Sequence, residues 1–143
     1  EADMRLINIP RRYSSRPVVM VSGPYRSKSR LGVLLNIWRA WRVARELWRM
    51  GFAVVCPHTS SAGLGGTVPD REFLVGDLCI EARCDSLVLI CGWERSEGAL
   101  GEREAALDLG ISVFYWPQDK EKLSHWLERW RVRHAEAAEA GPG

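Results

Sequence analysis

The amino-acid sequence predicts an α/β fold in which a parallel sheet of four or five strands carries helices on both faces. Short apolar runs alternate along the chain with longer segments of helical period. The apolar runs are continuous, as expected of strands that are buried on both sides. The 143 residues suit one domain, which we place at 17–135, with an arm over 1–16 and a flexible tail over 136–143.

The first part of that domain predicts a strand, a long helix and a second strand. The strand over 17–22 is apolar, and a Gly-Pro pair and a basic loop follow it. The period over 31–50 is helical, Gly51 suits a left-handed residue that ends this helix, and the second strand covers 52–57. The apolar residues that we expect on the buried face of the helix are Leu34, Ile37, Trp38, Trp41, Ala44 and Trp48.

The rest of the domain continues the same alternation after a loop of small residues over 58–68. Loops of that length are often functional. The further predicted elements are a helix from Asp70 to about residue 83, a strand over 86–91, a helix over 98–109 that ends at Gly110, a strand over 111–116 and an amphipathic helix over 119–135.

Charge and hydropathy exclude several classes of partner. The formal net charge of +2 is too small to indicate nucleic-acid binding, and the arginines are scattered along helix faces. No apolar run approaches the roughly 20 residues that cross a bilayer, and the first residues show no apolar leader. We therefore expect a cytoplasmic protein that binds neither membranes nor nucleic acid.

Metal-ligand spacing is not evident in the sequence. None of the four cysteines forms a Cys-x-x-Cys pair. His58, His125 and His134 are not spaced as zinc ligands are. We assign no metal and no organic cofactor.

Glu102 is the first candidate for chemistry. The stretch from Cys84 to Glu102 predicts a buried strand, a polar turn and a helix, with Glu102 in the first turn of that helix. Ligands of α/β proteins bind at the carboxyl ends of parallel strands, often against helix N-termini. The alternative is structural, because the helix dipole favours any acidic residue in a first turn.

Two aspartates are further candidates. Asp77 shares a helix face with Phe73, where loss of water would raise its pKa, although an aspartate exposed on the surface explains the pattern equally well. Asp85 directly precedes the third strand, where aspartates commonly accept hydrogen bonds from local backbone amides.

The loop from Ser22 to Ser29 combines hydroxyls, a glycine and cations, and such a loop suits a sugar or a phosphate. It lacks both the Walker spacing and the Gly-x-Gly-x-x-Gly spacing, and a solvated basic loop is the alternative. Trp93 follows a strand end, where an indole ring can stack on a base.

Taken together, these segments resemble the nucleoside 2-deoxyribosyltransferase superfamily, above all its small, largely uncharacterised branch. They are also similar to the deoxynucleoside 5'-monophosphate N-glycosidases. The resemblance covers about 17–117, and its most specific part is Ser96-x-Gly98-x-x-x-Glu102. The other matching segments are Ser22-Gly23-Pro24-Tyr25, Asn36 with Ala40 and Ala44, Val55-Cys56-Pro57-His58, Asp77-Leu78, Cys84-Asp85 and Gly92 to Ala99.

The resemblance implies a Rossmann-like, flavodoxin-like fold and cleavage of an N-glycosidic bond. Glu102 matches the glutamate that attacks the anomeric carbon, Asp77 the acid that assists the leaving base, and Tyr25 a residue that holds the nucleophile. Asp85 matches a residue that contacts the base or orders the site. The further residues from which we expect substrate contacts are Ser22, Gly23, Pro24, Arg26, Ser27, His58, Trp93, Ser96, Gly98 and Ala99.

Three functional hypotheses stay open at this point. The first is an enzyme that acts on a nucleoside, a deoxynucleoside or a 5'-monophosphate, by transfer or by hydrolysis. The second is a nucleotide-binding or nucleotide-sensing module that does not turn its ligand over. The third gives the tryptophan-bearing helix over 31–50 a main role in assembly, and the resemblance implies a homo-oligomer, dimer or larger.

Overall fold

Four parallel strands form one sheet in the structure, a computed structural model that describes residues 15–139. The predicted all-parallel α/β architecture is therefore confirmed, with four strands. Predictions for 1–14 and 140–143, which include most of the arm and part of the tail, lie outside the described residues. The strands are β1 (Val18–Ser22), β2 (Ala53–Val55), β3 (Ser86–Leu89) and β4 (Ser112–Tyr115).

The strand order is β2-β1-β3-β4, which is the flavodoxin-like order as far as four strands extend. The chain moves outward from β1 to β2 and then crosses to the other side of β1. Ser22 lies beside Leu89 in the register, so β1 and β3 end at the same edge of the sheet. We call this edge the carboxyl edge. The point where the order reverses, between β1 and β3, is where α/β proteins of this type bind ligands.

Helices cover both faces of the sheet. The helices are α1 (Arg30–Met50), α2 (Pro57–Ser60), α3 (Asp70–Glu81), α4 (Glu97–Leu109) and α5 (Lys120–Glu139), and a 3₁₀ turn covers Trp93–Arg95. α1 and α5 bury their apolar side chains on one face, whereas α4 covers the other face and α3 packs beside α4. None of the helices within residues 15–139 combines the length and the apolar composition that crossing a membrane requires.

Gly51 ends α1 as predicted, with φ of 116° and its N–H bonded to the carbonyls of Leu47 and Trp48. At the start of the helix, the Ser29 hydroxyl accepts a hydrogen bond from the N–H of Gly32 at 3.0 Å. The region after β2 differs from the prediction, because the first residues of the expected loop form the short helix α2. Pro57 stands at its first position, where the missing N–H costs nothing.

The prediction of the buried face of α1 was wrong for its tryptophans and for Leu34, which is 62% exposed. The side chains that α1 buries are smaller, namely Ala40, Val43, Ala44 and Leu47, of which only Ala44 was expected. Small residues on this face let the helix backbone lie close to the sheet. Trp38, Trp41 and Trp48 lie beside that contact and stay about half exposed.

Candidate active site

A cleft of about 640 Å³ opens at the carboxyl edge, next to the reversal of strand order. Its size is within the usual range of small-molecule sites. Its lining comes from the loop after β1, from α2 and the loop that follows it, from the inward side of α3, and from the 3₁₀ turn and the first turns of α4. The predicted site residues that line it are Gly23, Pro24, Tyr25, Arg26, His58, Asp77, Ser96, Gly98, Ala99 and Glu102.

Glu102 lies at the base of this cleft and is only 6% exposed. The alternation of side chains along β1 turns Ser22 toward α4, and the Ser22 hydroxyl donates a hydrogen bond to Oε2 of Glu102. α4 begins at Glu97, so Glu102 stands in its second turn and not in its first. The helix dipole acts mainly within the first turn, and it therefore does not explain a buried glutamate at this position.

Burial is the main influence on the ionisation of Glu102. It raises the pKa of the carboxyl group to about 7, the hydrogen bond from Ser22 opposes that rise, and the negative charge of Asp77 adds to it. Both protonation states of Glu102 are consequently populated near neutral pH.

Asp77, on α3, lines the same cleft as Glu102. Its side chain is half-buried beside Phe73 and Leu74, which also line the cleft. Burial raises the pKa of the Asp77 carboxyl group above its usual range. The structure thus brings together, from two different helices, the two carboxyl groups that the sequence singled out.

Glu81 is a third carboxyl group near the other two. It stands four residues after Asp77 on the inward side of α3 and is 0% exposed. Neither of its carboxylate oxygens has a hydrogen-bond partner among the described residues. Burial, followed by the charges of Glu102 and Asp77, raises the pKa of Glu81 to about 8. A carboxyl group in this position holds its proton at neutral pH.

Tyr25 and His58 form one wall of the cleft. The Nε2–H of His58 donates to the carbonyl oxygen of Pro24 at 3.0 Å, and the two rings meet edge to face with centroids 5.5 Å apart. Burial lowers the pKa of His58, so the ring is neutral at physiological pH. In the described part of the chain the hydrogen bond to Glu102 comes from Ser22, whereas the predicted holder, Tyr25, packs on His58.

The loop after β1 is held in place on two sides. The side-chain amide of Asn36 donates to the carbonyl oxygen of Tyr25 at 3.2 Å. A Cβ at Gly23 would stand 2.3 Å from a side-chain carbon of Ile90, so only glycine fits there. At the mouth of the cleft, the guanidinium of Arg26 forms a solvent-exposed ion pair with Asp70 at 2.7 Å.

Ser96, Gly98 and Ala99 place the N-terminus of α4 against the cleft. The Ser96 hydroxyl accepts a hydrogen bond from the N–H of Ala99 at 3.3 Å and so caps the helix. The Ser96 hydroxyl oxygen therefore already accepts a hydrogen bond that stabilises the helix. The other unpaired N–H groups of this first turn suit the negative end of a ligand.

Four predicted contact residues do not line the cleft, and one of them, Ser22, donates its hydroxyl to Glu102 instead. Asp85 precedes β3 and therefore lies at the opposite edge of the sheet, where its Oδ2 accepts the N–H of Val18 at 2.7 Å. The expected contact of Asp85 with a base is therefore corrected. Asp85 instead has the structural role that was the alternative, as the acceptor of a backbone hydrogen bond. Trp93 packs against Tyr115, with 5.4 Å between the ring centroids. The Ser27 hydroxyl accepts a hydrogen bond from the N–H of Ser29 at 3.5 Å.

Comparison with known protein families assigns the chain to one of them. Residues 38–115, which are more than half of its length, match the model of DUF4406, a domain of unknown function. The chain belongs to the DUF4406 family. A search of curated proteins found no match. The segment that matches DUF4406 carries Asp77, Glu81 and Glu102, whereas Ser22 and the loop after β1 precede it.

Sequence reasoning missed several groups of the site in this DUF4406 protein. Arg71 and Arg95 line the cleft, although their scattered positions in the sequence are typical of surface arginines. Glu81 was missed because a glutamate before Ala-Arg at a helix end is typical of exposed surface; its spacing of four from Asp77 was the available signal. Within residues 15–139, no group of three or more His, Cys, Asp or Glu side chains is arranged to hold a metal ion.

Proposed function

We propose that this protein cleaves or transfers the N-glycosidic bond of a (deoxy)nucleoside or its 5'-monophosphate, with Glu102 as the nucleophile. The observation that carries the proposal is the pair of carboxyl groups, Glu102 and Asp77, that two helices direct into one ligand-sized cleft. The resemblance to nucleoside 2-deoxyribosyltransferases supports the same assignment.

The reaction proceeds by double displacement. The ionised carboxylate of Glu102 attacks the anomeric carbon as the C–N bond breaks, and the new C–O bond forms a glycosyl ester. Asp77, in its protonated form, gives its proton to the departing base. Water, or a second base, then attacks the anomeric carbon and gives a proton to the ionised Asp77, and the C–O bond to Glu102 breaks. Two inversions give overall retention of configuration, as in retaining glycosidases.

The surroundings of Glu102 suit a nucleophile. Burial raises the pKa of both carboxyl groups, to about 7 at Glu102. Only Glu102 has the Ser22 hydroxyl as a hydrogen-bond donor, and this bond stabilises the carboxylate that must attack.

The other groups of the cleft suit the two ends of a nucleotide. Arg26, Arg71 and Arg95 line it together with the N-terminus of α4, and guanidinium and backbone N–H groups are the usual ligands of a phosphate. The Tyr25 and His58 rings offer aromatic surface to a base. These features support a 5'-monophosphate as the preferred substrate.

The test is release of free base, followed by chromatography, from a panel of ribo- and deoxyribonucleosides and their 5'-monophosphates. We expect release from at least one of them and its loss in Glu102→Ala. Glu104→Ala removes an exposed acid from the same helix and serves as the matched control, with full activity expected. Adding a second base separates transfer from hydrolysis. No release from any compound, or full activity in Glu102→Ala, contradicts the proposal.

One observation favours a second candidate function, a nucleotide-binding module without turnover. Near neutral pH, part of the Glu102 population is protonated, and a protonated carboxyl donates a hydrogen bond instead of attacking carbon. Titration calorimetry with the same panel distinguishes the two functions. Tight binding with no base released after long incubation favours the module.

A further inference from the structure

A second concave surface lies outside the candidate active-site cleft. It is a groove of about 440 Å³ between α1 and β2, and no residue lines both the groove and the cleft. α1 contributes Trp41, Arg45 and Trp48 to the groove, and β2 contributes Val54 and Val55. The steps of four and three between the α1 residues place them on one side of that helix. The groove therefore has one wall from a helix and one wall from a strand.

The strand wall of this groove presents unpaired backbone groups. β2 is an edge strand and pairs only with β1 among the described residues. The N–H of Ala53 donates to the carbonyl oxygen of Pro17, on the β1 side, at 2.9 Å. Backbone groups of successive residues point to opposite sides of a strand, so the N–H and C=O of Val54 are directed away from β1. An extended peptide pairs with such groups when it adds a strand to the edge of a sheet.

The helix wall carries a concentration of positive charge that is not evident from the small net charge of the chain. α1 contains five arginines, all exposed, and one glutamate. That glutamate, Glu46, is bonded to Lys120 at 2.9 Å, and within residues 15–139 no carboxylate forms an ion pair with any of the five arginines. The helices on the opposite face, α3 and α4, together hold eight acidic residues and two arginines. The α1 side of the molecule therefore attracts an acidic partner.

The stacking of arginine on tryptophan along α1 favours carboxylates over nucleobases. The guanidinium of Arg45 lies over the ring of Trp41 at 5.7 Å. The guanidinium of Arg42 lies over the ring of Trp38 at 4.9 Å. Each guanidinium covers an indole face on which a base would have to stack. The N–H groups at the rim of a stacked guanidinium stay available, and their fork matches the two oxygens of a carboxylate. The occupant that fits this groove is a polypeptide with acidic side chains.

We propose that the groove binds an extended acidic segment of another protein, which adds to the sheet beside β2. The backbone of the segment pairs with Val54, and its apolar side chains contact Trp48. Its carboxylates pair with Arg45 and with Arg42 and Arg49, which stand one turn before and one turn after Arg45. Every second residue of an added strand faces α1, so acidic and apolar residues of the segment lie two positions apart. This docking site is independent of the proposed function.

The test is fluorescence anisotropy of the whole chain with a labelled ten-residue peptide whose ends are capped. In the peptide, threonine alternates with aspartate, leucine, glutamate, leucine and aspartate. We expect a dissociation constant below about 100 µM at low salt, and weaker binding as salt is added. The same peptide with lysine at its acidic positions should not bind. Two further versions carry N-methyl groups on the threonines or on the other residues, and only one of them should bind, because one set of N–H groups faces β2.

Variants of the protein locate the binding site. Arg45→Glu reverses the charge in the groove and should weaken binding about tenfold or more. Trp48→Ala, as a second variant, removes the apolar contact and should also weaken binding. Arg129→Glu makes the same charge change at an exposed arginine of α5, outside the groove, and should leave binding unchanged. Circular dichroism of each variant verifies that it folds.

Three results overturn the proposal. The first is no binding at about 1 mM acidic peptide, including a protein that instead binds a single-stranded oligonucleotide, anionic lipid vesicles or a second copy of itself. The second is binding that folded Arg45→Glu and folded Trp48→Ala both retain, because the peptide would then bind elsewhere. The third is equal binding of the two methylated peptides, because the peptide would then not add to the sheet as a strand.

Discussion

Replacing the buried glutamate of α3, in Glu81→Gln, should make the protein more stable at neutral and higher pH. Glutamine keeps the shape of the side chain and cannot ionise. Glu81 has a pKa of about 8 in the folded protein, against 4.5 for an exposed glutamate. Because the folded-state value is the higher one, its contribution to stability is complete below pH 4.5 and is lost as the pH rises toward 8.

The size of the effect follows from that interval. Each pKa unit corresponds to about 1.4 kcal/mol, so the native protein loses about 3 kcal/mol between pH 4.5 and 7 through this group. Glu81→Gln avoids that loss. We expect the two proteins to be equally stable near pH 5 and the variant to melt about 10 °C higher at pH 7.

The assay is thermal unfolding, followed by circular dichroism, at one-unit steps from pH 5 to 8. Glu104→Gln removes an exposed carboxyl group from α4 and should give a curve parallel to that of the native protein. If the melting temperatures of Glu81→Gln and the native protein stay a constant interval apart over this range, Glu81 does not hold a proton in the folded state and the reasoning fails.

Three further outcomes follow from the site. Ser22→Ala removes the hydrogen bond that lowers the pKa of Glu102, so the acidic limb of the pH profile of base release should move to higher pH, whereas an unchanged profile would show that the bond has no influence. Asp85→Ala should lower the free energy of unfolding in urea by about 1–2 kcal/mol and leave base release unchanged, because Asp85 accepts a hydrogen bond from the Val18 amide. If a stably folded Asp85→Ala lost activity, Asp85 would have to contact the substrate after all. Gly23→Ala forces a Cβ against Ile90 and should cost about 1–3 kcal/mol in the same assay, and an unperturbed unfolding curve would contradict that contact.

The fold was predictable because local signals and the periodicity of the chain agree. Continuous apolar runs marked the strands, and Gly51 marked the end of α1 through a conformation that other residues avoid. The buried side of α1 was not predictable in the same way. Two neighbouring sides of this helix are apolar, and only the close approach of small residues to the sheet decides between them.

The candidate site was predictable where the order of strands and helices along the chain fixes the position of a residue in the fold. Glu102 and the loop after β1 follow strands that end at the same edge, and parallel topology alone brings them together. The same rule places Asp85 at the opposite edge, since it precedes its strand. The burial of Glu81 depends on how α3 packs beside α4, and its spacing of four from Asp77 indicates only which side of the helix it shares, not that this side is buried.

The central claim, that Glu102 attacks the anomeric carbon, is tested most directly by trapping the covalent intermediate. The protein is mixed with the substrate that the panel identifies, quenched in acid during turnover, digested and analysed by mass spectrometry. We predict that the peptide containing Glu102 gains the mass of one sugar, or of one sugar phosphate, and that Glu102→Gln forms no adduct. An adduct on another residue, or base release that persists in Glu102→Gln, would contradict the account.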